Sequence, residues 1–188
     1  WYENDGAANP GFTKNTVASS LGSVYALHAE DVDKDGDIDL VSANSGAGKI
    51  VFYENNGAAD PAWTSSDVAS SNGWLRDVYI ADIDSDGDND IISAAGYNAI
   101  IWHENDGALN PSWTTNTIVS DSSSTHEKTD IHVADLDNDG DLDILSLSQT
   151  EDTVSWYEND GAANPSFIEV DIVNNADGAY ELFTGDLD

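Results

Sequence analysis

The chain has no cysteine and no methionine, and its 188 residues hold only 5 Lys and Arg against 37 Asp and Glu, a formal net charge of -32. Without cysteine there are no disulfide staples, and with four scattered His the donors that zinc prefers are missing. So few basic residues leave no patch to neutralise phosphates, so neither nucleic acid nor an anionic membrane is expected as a partner. No apolar run reaches the roughly 18 residues of a membrane-spanning helix, so no membrane insertion is expected. A start at Trp1 with no Met leads us to expect a piece of a longer chain, with any secretion signal upstream. What the chain does have is 39% hydrophobic residues, with six Trp and seven Tyr, enough for a packed core.

The acidity is concentrated. The nine-residue pattern Asp-x-Asp-x-Asp-Gly-Asp-x-Asp occurs as DVDKDGDID from Asp31, DIDSDGDND from Asp82 and DLDNDGDLD from Asp135. Carboxylates at alternate positions can converge on one point, which suits a hard cation taking six to eight oxygens at about 2.3–2.6 Å. Without an ion, five like charges on nine residues repel and hold the loop open. Calcium is therefore the expected cofactor. Positions 1, 3 and 5 supply side-chain oxygens: Asp31, Asp33 and Asp35, then Asp82, Asp84 and Asp86, then Asp135, Asp137 and Asp139. Position 7 (Asp37, Asp88, Asp141) turns its carbonyl inward, and position 9 (Asp39, Asp90, Asp143) closes the shell with both oxygens. Gly36, Gly87 and Gly140 make the sharp turn between them. An EF-hand is excluded, because its bidentate Glu at position 12 is replaced by Ser42, Ser93 and Ser146, and no helical periodicity follows the loops.

The loops recur at Asp31, Asp82 and Asp135, and a fourth begins at Asp186 and Asp188 before the chain stops. A second landmark keeps the same beat: WYENDGAANP at Trp1 and Trp156, FYENNGAADP at Phe52 and WHENDGALNP at Trp102. Repeats of this length point to a propeller or array. Four short strands fit each unit: one before the loop (ALHAE, VYIA, IHVA, LFTG), one leaving it (LVSAN, IISAA, ILSLS), one ending in YEN or HEN, and one after an Asn-x-Gly turn and a Pro. Four strands per unit is a propeller blade. The expected division is residues 1–22 as the second half of a blade, 23–73, 74–126 and 127–178 as blades with loops 31–39, 82–90 and 135–143, and 179–188 as the truncated start of another.

The loop between the first two strands of such a unit, with a downstream Asn-x-Gly turn, resembles the FG-GAP/VCBS repeat of integrin alpha-subunit propellers and of many secreted bacterial proteins. The resemblance implies an all-β fold, a calcium-binding β-propeller of four-stranded antiparallel blades, here as a fragment of a longer propeller or repeat array. It maps metal ligands onto the five Asp of each loop. The integrin-like phenylalanine-glycine signature is missing, so an integrin-type receptor role is not expected.

Some residues read two ways. His28 and His132 share a slot with Tyr79 and Phe183, and packing is favoured over a metal or catalytic role. Glu3, Glu54, Glu104 and Glu158 recur after the aromatic pair, and a structural hydrogen bond to the following turn is favoured over a rim ligand. His103 replaces a Tyr as a neutral substitution. Trp74, beside Arg76, has no counterpart in the other units; loop packing is favoured over stacking on a sugar. No motif of nucleophilic or phosphate chemistry stands out, so no enzymatic activity is expected. The expected function is a secreted, extracellular structural or adhesion module that binds calcium, either as part of a larger propeller or in fibres whose neighbouring copies complete each other's blades. A lectin-like glycan binder, or the non-catalytic domain of a polysaccharide-active enzyme, is the alternative.

Overall fold

A computed structural model describes residues 1–70, 74–96, 98–120 and 128–185. Asp186 and Asp188, expected to open a fourth loop, lie outside the described residues. The apolar and β-branched segments form fourteen strands, and no helix occurs among the described residues. In particular, no helix is long and apolar enough to cross a membrane.

The expectation of four strands per unit is met. β1 (Tyr2–Asn4) and β2 (Phe12–Lys14) form a two-stranded sheet at the start of the chain. The first four-stranded sheet is β3 (Val24–Glu30), β4 (Asp39–Asn44), β5 (Lys49–Asn55) and β6 (Trp63–Ser70). The second is β7 (Leu75–Ala81), β8 (Asp90–Ala95), β9 (Ala99–Asn105) and β10 (Trp113–Val119). The third is β11 (Lys128–Ala134), β12 (Asp143–Ser148), β13 (Thr153–Asn159) and β14 (Phe167–Val173). Each is an antiparallel meander with neighbouring strands paired in chain order, and no sheet closes on itself.

Residues 182–185, expected as the first strand of a further unit, carry no strand. A strand needs a ladder partner, and this segment has none among the described residues. It docks all the same. The Leu182 amide donates to Asp130 Oδ2 at 2.7 Å, and Phe183 packs against His132 with ring centroids 5.9 Å apart.

The core lies between sheets. Val41, Ile50 and Phe52 of the first sheet pack with Leu75, Val78, Ile80 and Ile91 of the second. Ile92, Ile100 and Trp102 on the opposite face of the second pack with Ile131, Val133, Ile144 and Tyr157 of the third. The second sheet is therefore buried on both faces, which is why β8 reads Ile-Ile-Ser-Ala-Ala without polar alternation. The first strands also touch one another. His28, Tyr79, His132 and Phe183 form a column with successive centroid separations of 4.6, 5.1 and 5.9 Å, so the shared slot is a packing position. His28 Nδ1 also accepts the Ile80 amide at 2.8 Å, one repeat further on. Burial, only partly offset by Glu30, pushes the His28 pKa down and favours the neutral ring that this acceptor role requires.

Candidate metal centre

Each acidic loop joins the first strand of a sheet to the second, so its ends are held about one strand spacing apart. Within that span the backbone turns through two left-handed residues. The glycine at position 6 is one, with φ of 98°, 102° and 102° at Gly36, Gly87 and Gly140. The residue at position 4 is the other, with φ of 59°, 58° and 62° at Lys34, Ser85 and Asn138. The position-6 amide donates to the first carboxylate of its loop, at 3.1 Å in Gly36→Asp31, Gly87→Asp82 and Gly140→Asp135 alike. The amides of positions 5 and 7 donate to the carboxylates two residues earlier, as in Asp37 to Asp35 at 2.9 Å.

The carboxylates that come together are Asp31, Asp33 and Asp39 in the first loop, Asp82, Asp84 and Asp86 in the second, and Asp135, Asp137 and Asp139 in the third. In each group the ligand atoms lie within 4.8 Å of one another. The expected ligands at positions 1 and 3 therefore converge in all three loops. Position 5 joins them in the second and third, and position 9 only in the first.

Position 9 does a second job that its place in the loop pattern did not suggest. Asp39, Asp90 and Asp143 are buried to 0–1% exposure, and each accepts two backbone amides. One oxygen of Asp39 takes the Val32 amide at 3.0 Å and the other takes Asn55 at 2.8 Å. Asp90 does the same with Ile83 and Asn105, and Asp143 with Leu136 and Asn159. This carboxylate thus ties the loop to the end of the third strand. The side chain at position 7 has a role too. Asp37, Asp88 and Asp141 lie over Gly57, Gly107 and Gly161 of the Asn-x-Gly turns, so that a Cβ on those glycines would fall 1.9, 2.1 and 1.9 Å from a carboxylate oxygen.

The Asn of the same turn reaches further. Asn105 Nδ2 donates to Asn89 O in its own loop at 3.0 Å and to Val32 O in the preceding loop at 3.3 Å. Asn159 repeats this with Leu142 O at 3.0 Å and Ile83 O at 2.9 Å. Sequence reasoning read Asn-x-Gly only as a turn; the recurrence of Asn in the same frame as the loops was the available signal.

The electrostatics are those of an uncompensated anion cluster. Burial pushes the Asp39 carboxyl up to about 6 and the Asp90 carboxyl up to about 7, although each accepts amides that favour the charge. Asp33 and Asp84 are also raised, chiefly by burial and then by carboxylates around them, Glu54 beside the first and Glu104 beside the second. Glu54 and Glu104 thus stand near the carboxylates of their own loops. Glu104 Oε2 accepts Asn116 Nδ2 across to β10 at 3.2 Å.

The donor set fits a hard cation. Every converging group is an oxygen, and Asp31 Oδ1 and Asp82 Oδ1 are buried with no hydrogen-bond donor. A buried carboxylate oxygen without a partner is costly, and both belong to the first residue of a loop, in the clusters described above.

His103 occupies the buried slot filled by Tyr53 and Tyr157. Its Nε2 lies 3.1 Å from Ser93 Oγ and its Nδ1 3.3 Å from Thr115 Oγ1, and burial pushes its pKa down to about 4. Trp74 is 61% exposed, with the Arg76 guanidinium 5.1 Å from its ring and 5.3 Å from that of Tyr25.

The FG-GAP-like repeat matches residues 31–93, 84–146 and 135–188, three overlapping units that each take in an acidic loop. No curated protein matches the chain.

Proposed function

The chain belongs to the FG-GAP-like repeat family, and on that premise we propose that each acidic loop holds one calcium ion and that the molecule is a calcium-stapled, propeller-type scaffold or adhesion module working outside the cell. Repeats of this family are generally structural rather than catalytic. The observation that carries the calcium reading is the pair of buried, unpartnered oxygens on Asp31 and Asp82, set among converging carboxylates. Calcium supplies the positive charge these oxygens lack and links the first and second strands of each sheet. Three divalent ions would take the formal charge from -32 to -26. Loops of this type suit the weak range of about 10⁻⁴–10⁻³ M, which matches extracellular calcium. The strands and face-to-face packing suit a propeller that needs more repeats to close.

Removal of the metal tests the reading. At calcium 100-fold above its dissociation constant, each site stabilises the fold by about 2.7 kcal/mol. EDTA should therefore lower the melting temperature well below that of the calcium-loaded protein. An unchanged melting curve after verified metal removal would refute a structural role for calcium.

Assembly with neighbouring copies is favoured by β14. There Ile168, Val170 and Ile172 are 63%, 40% and 53% exposed, on the face that in the first and second sheets packs against the next repeat. Electron micrographs showing filaments would support assembly; discrete particles at all concentrations would oppose it. Exposed Trp74 keeps the glycan-binding reading as the alternative, although Arg76 lies against one side of its ring. Glycan-array binding lost in Trp74→Ala would favour it.

A further inference from the structure

We propose that His28 is an acid-sensitive latch between the first and second sheets: its neutral ring holds the Ile80 amide, and a protonated ring lets go of it and frees β3 from β7. The bond runs from the Ile80 N–H to His28 Nδ1 at 2.8 Å, between first strands one repeat apart. An imidazolium carries a hydrogen on both ring nitrogens and has no lone pair left to accept with. Protonation therefore sets one N–H against another. Ile80 is buried, so leaving its amide unpaired is costly.

Two features of the fold make this one bond count. β3 lies at the edge of its sheet and is thinly covered: Val24, Tyr25 and Leu27 are 43%, 54% and 60% exposed, whereas Leu75, Val78 and Ile80 of β7 are at 0–4%. A strand with few buried contacts opens at low free-energy cost, so a single bond to its neighbour is a large share of what holds it. The other feature is the choice of acceptor. Further along the chain aspartate fills this role, with Asp77 Oδ2 accepting the Ile131 amide at 3.0 Å and Asp130 Oδ2 that of Leu182 at 2.7 Å. In the first sheet the position of Asp77 is taken by Ala26, and the histidine supplies the acceptor instead. A carboxyl that takes up a proton keeps its carbonyl oxygen as an acceptor, so mild acid spares the two aspartate ties and acts on the histidine.

The groups around the ring pull both ways. Glu30 on β3 and the Tyr79 ring on β7, with centroids 4.6 Å apart, favour a charged imidazole, while His132 on β11 opposes it. Burial outweighs them and holds the His28 pKa below its ordinary value. With a folded-state value lowered in this way, the latch contributes fully above the unfolded value of about 6.5, and the contribution is lost as pH falls through the folded value. Neither His28 nor Ile80 belongs to an acidic loop, so the latch stands whether or not the loops hold calcium.

The test is hydrogen exchange of single amides followed by NMR in excess calcium, at about pH 7 and about pH 5, with rates corrected for the intrinsic effect of pH. Ile80 should lose protection at the lower pH while Ile131 keeps it, and the loss should follow the titration of the His28 ring read from its carbon-bound protons. His28→Asn places an oxygen as many bonds from the backbone as Nδ1 and does not titrate, so in that variant Ile80 should be equally protected at both values. Protection of Ile80 that is unchanged in the native protein, or that falls as much in His28→Asn, would overturn the latch. If the variant does not fold, the native protein decides alone. A loss shared equally by Ile80, Ile131 and the loop amides of Val32 and Ile83 would mean that the loops titrate instead, and would overturn it as well.

Discussion

Gly107 carries two constraints at once: φ of 69°, and a position where a Cβ would meet Asp88 Oδ2 at 2.1 Å. Gly36 carries only the first, with φ of 98° and nothing within 4 Å of an added methyl. Alanine at Gly36 should cost the backbone strain alone, about 1–3 kcal/mol. Gly107→Ala should cost more, since Asp88 must also move. With about 2–4 °C of melting temperature per kcal/mol, thermal denaturation of the two variants separates the effects; equal losses would mean that Asp88 yields freely. Asn159→Ala should cost about 1–3 kcal/mol by leaving buried carbonyls of two loops without a donor, and a melting temperature within a degree of native would contradict it. At this scale the sequence was partly legible. Glycine at position 6 announces its left-handed backbone, but Lys34, Ser85 and Asn138 share no side-chain type, so nothing in their identity signals the same conformation. The second role of Asp39, Asp90 and Asp143 was hidden for a related reason: a carboxylate spaced as a ligand does not disclose that amides 7 and 15 or 16 residues away will also find it.

Among elements, the strands were readable because apolar and β-branched runs alternate with acidic loops and Asn-x-Gly turns. The bulges were not, since they arise from the register between strands rather than from either strand alone. The same irregularity recurs between Val24 and Ala26, Leu75 and Asp77, and Lys128 and Asp130. Just past it, Asp77 Oδ2 accepts the Ile131 amide at 3.0 Å and Asp130 Oδ2 accepts that of Leu182, so the first joins consecutive first strands and the second ties the third sheet to the segment that follows it. Burial and then the neighbouring Asp130 carboxyl hold Asp77 above the usual carboxylate range. A raised folded-state pKa means that the fold favours the protonated form. Its contribution is complete below the unfolded value of about 3.9 and is lost as pH rises through the higher folded value. Asp77→Asn keeps an acceptor for Ile131 and removes the charge. It should raise the melting temperature more at pH 8 than at pH 5, because pH 5 lies only part of the way from the unfolded to the folded value; an identical shift at both would exclude the titration.

For the whole molecule, a formal charge of -32 opposes compaction wherever cations are absent. In EDTA, raising ionic strength from about 0.01 to 0.15 M shortens the screening length from about 30 to 8 Å and should raise the melting temperature. The gain should be smaller in calcium, and an equal gain in both would show that bound ions do not relieve the repulsion. The reach of Asn105 and Asn159 back to Val32 and Ile83 gives the array a direction. The second and third repeats each carry a donor to the loop before them, alongside the one the same side chain gives to its own loop. During synthesis from the amino terminus, a nascent loop would stay unfinished on the ribosome until some seventy further residues had emerged. Truncation would likewise be felt asymmetrically: loss of the last sheet would loosen the loop of the sheet before it, whereas loss of the first would leave the later loops closed.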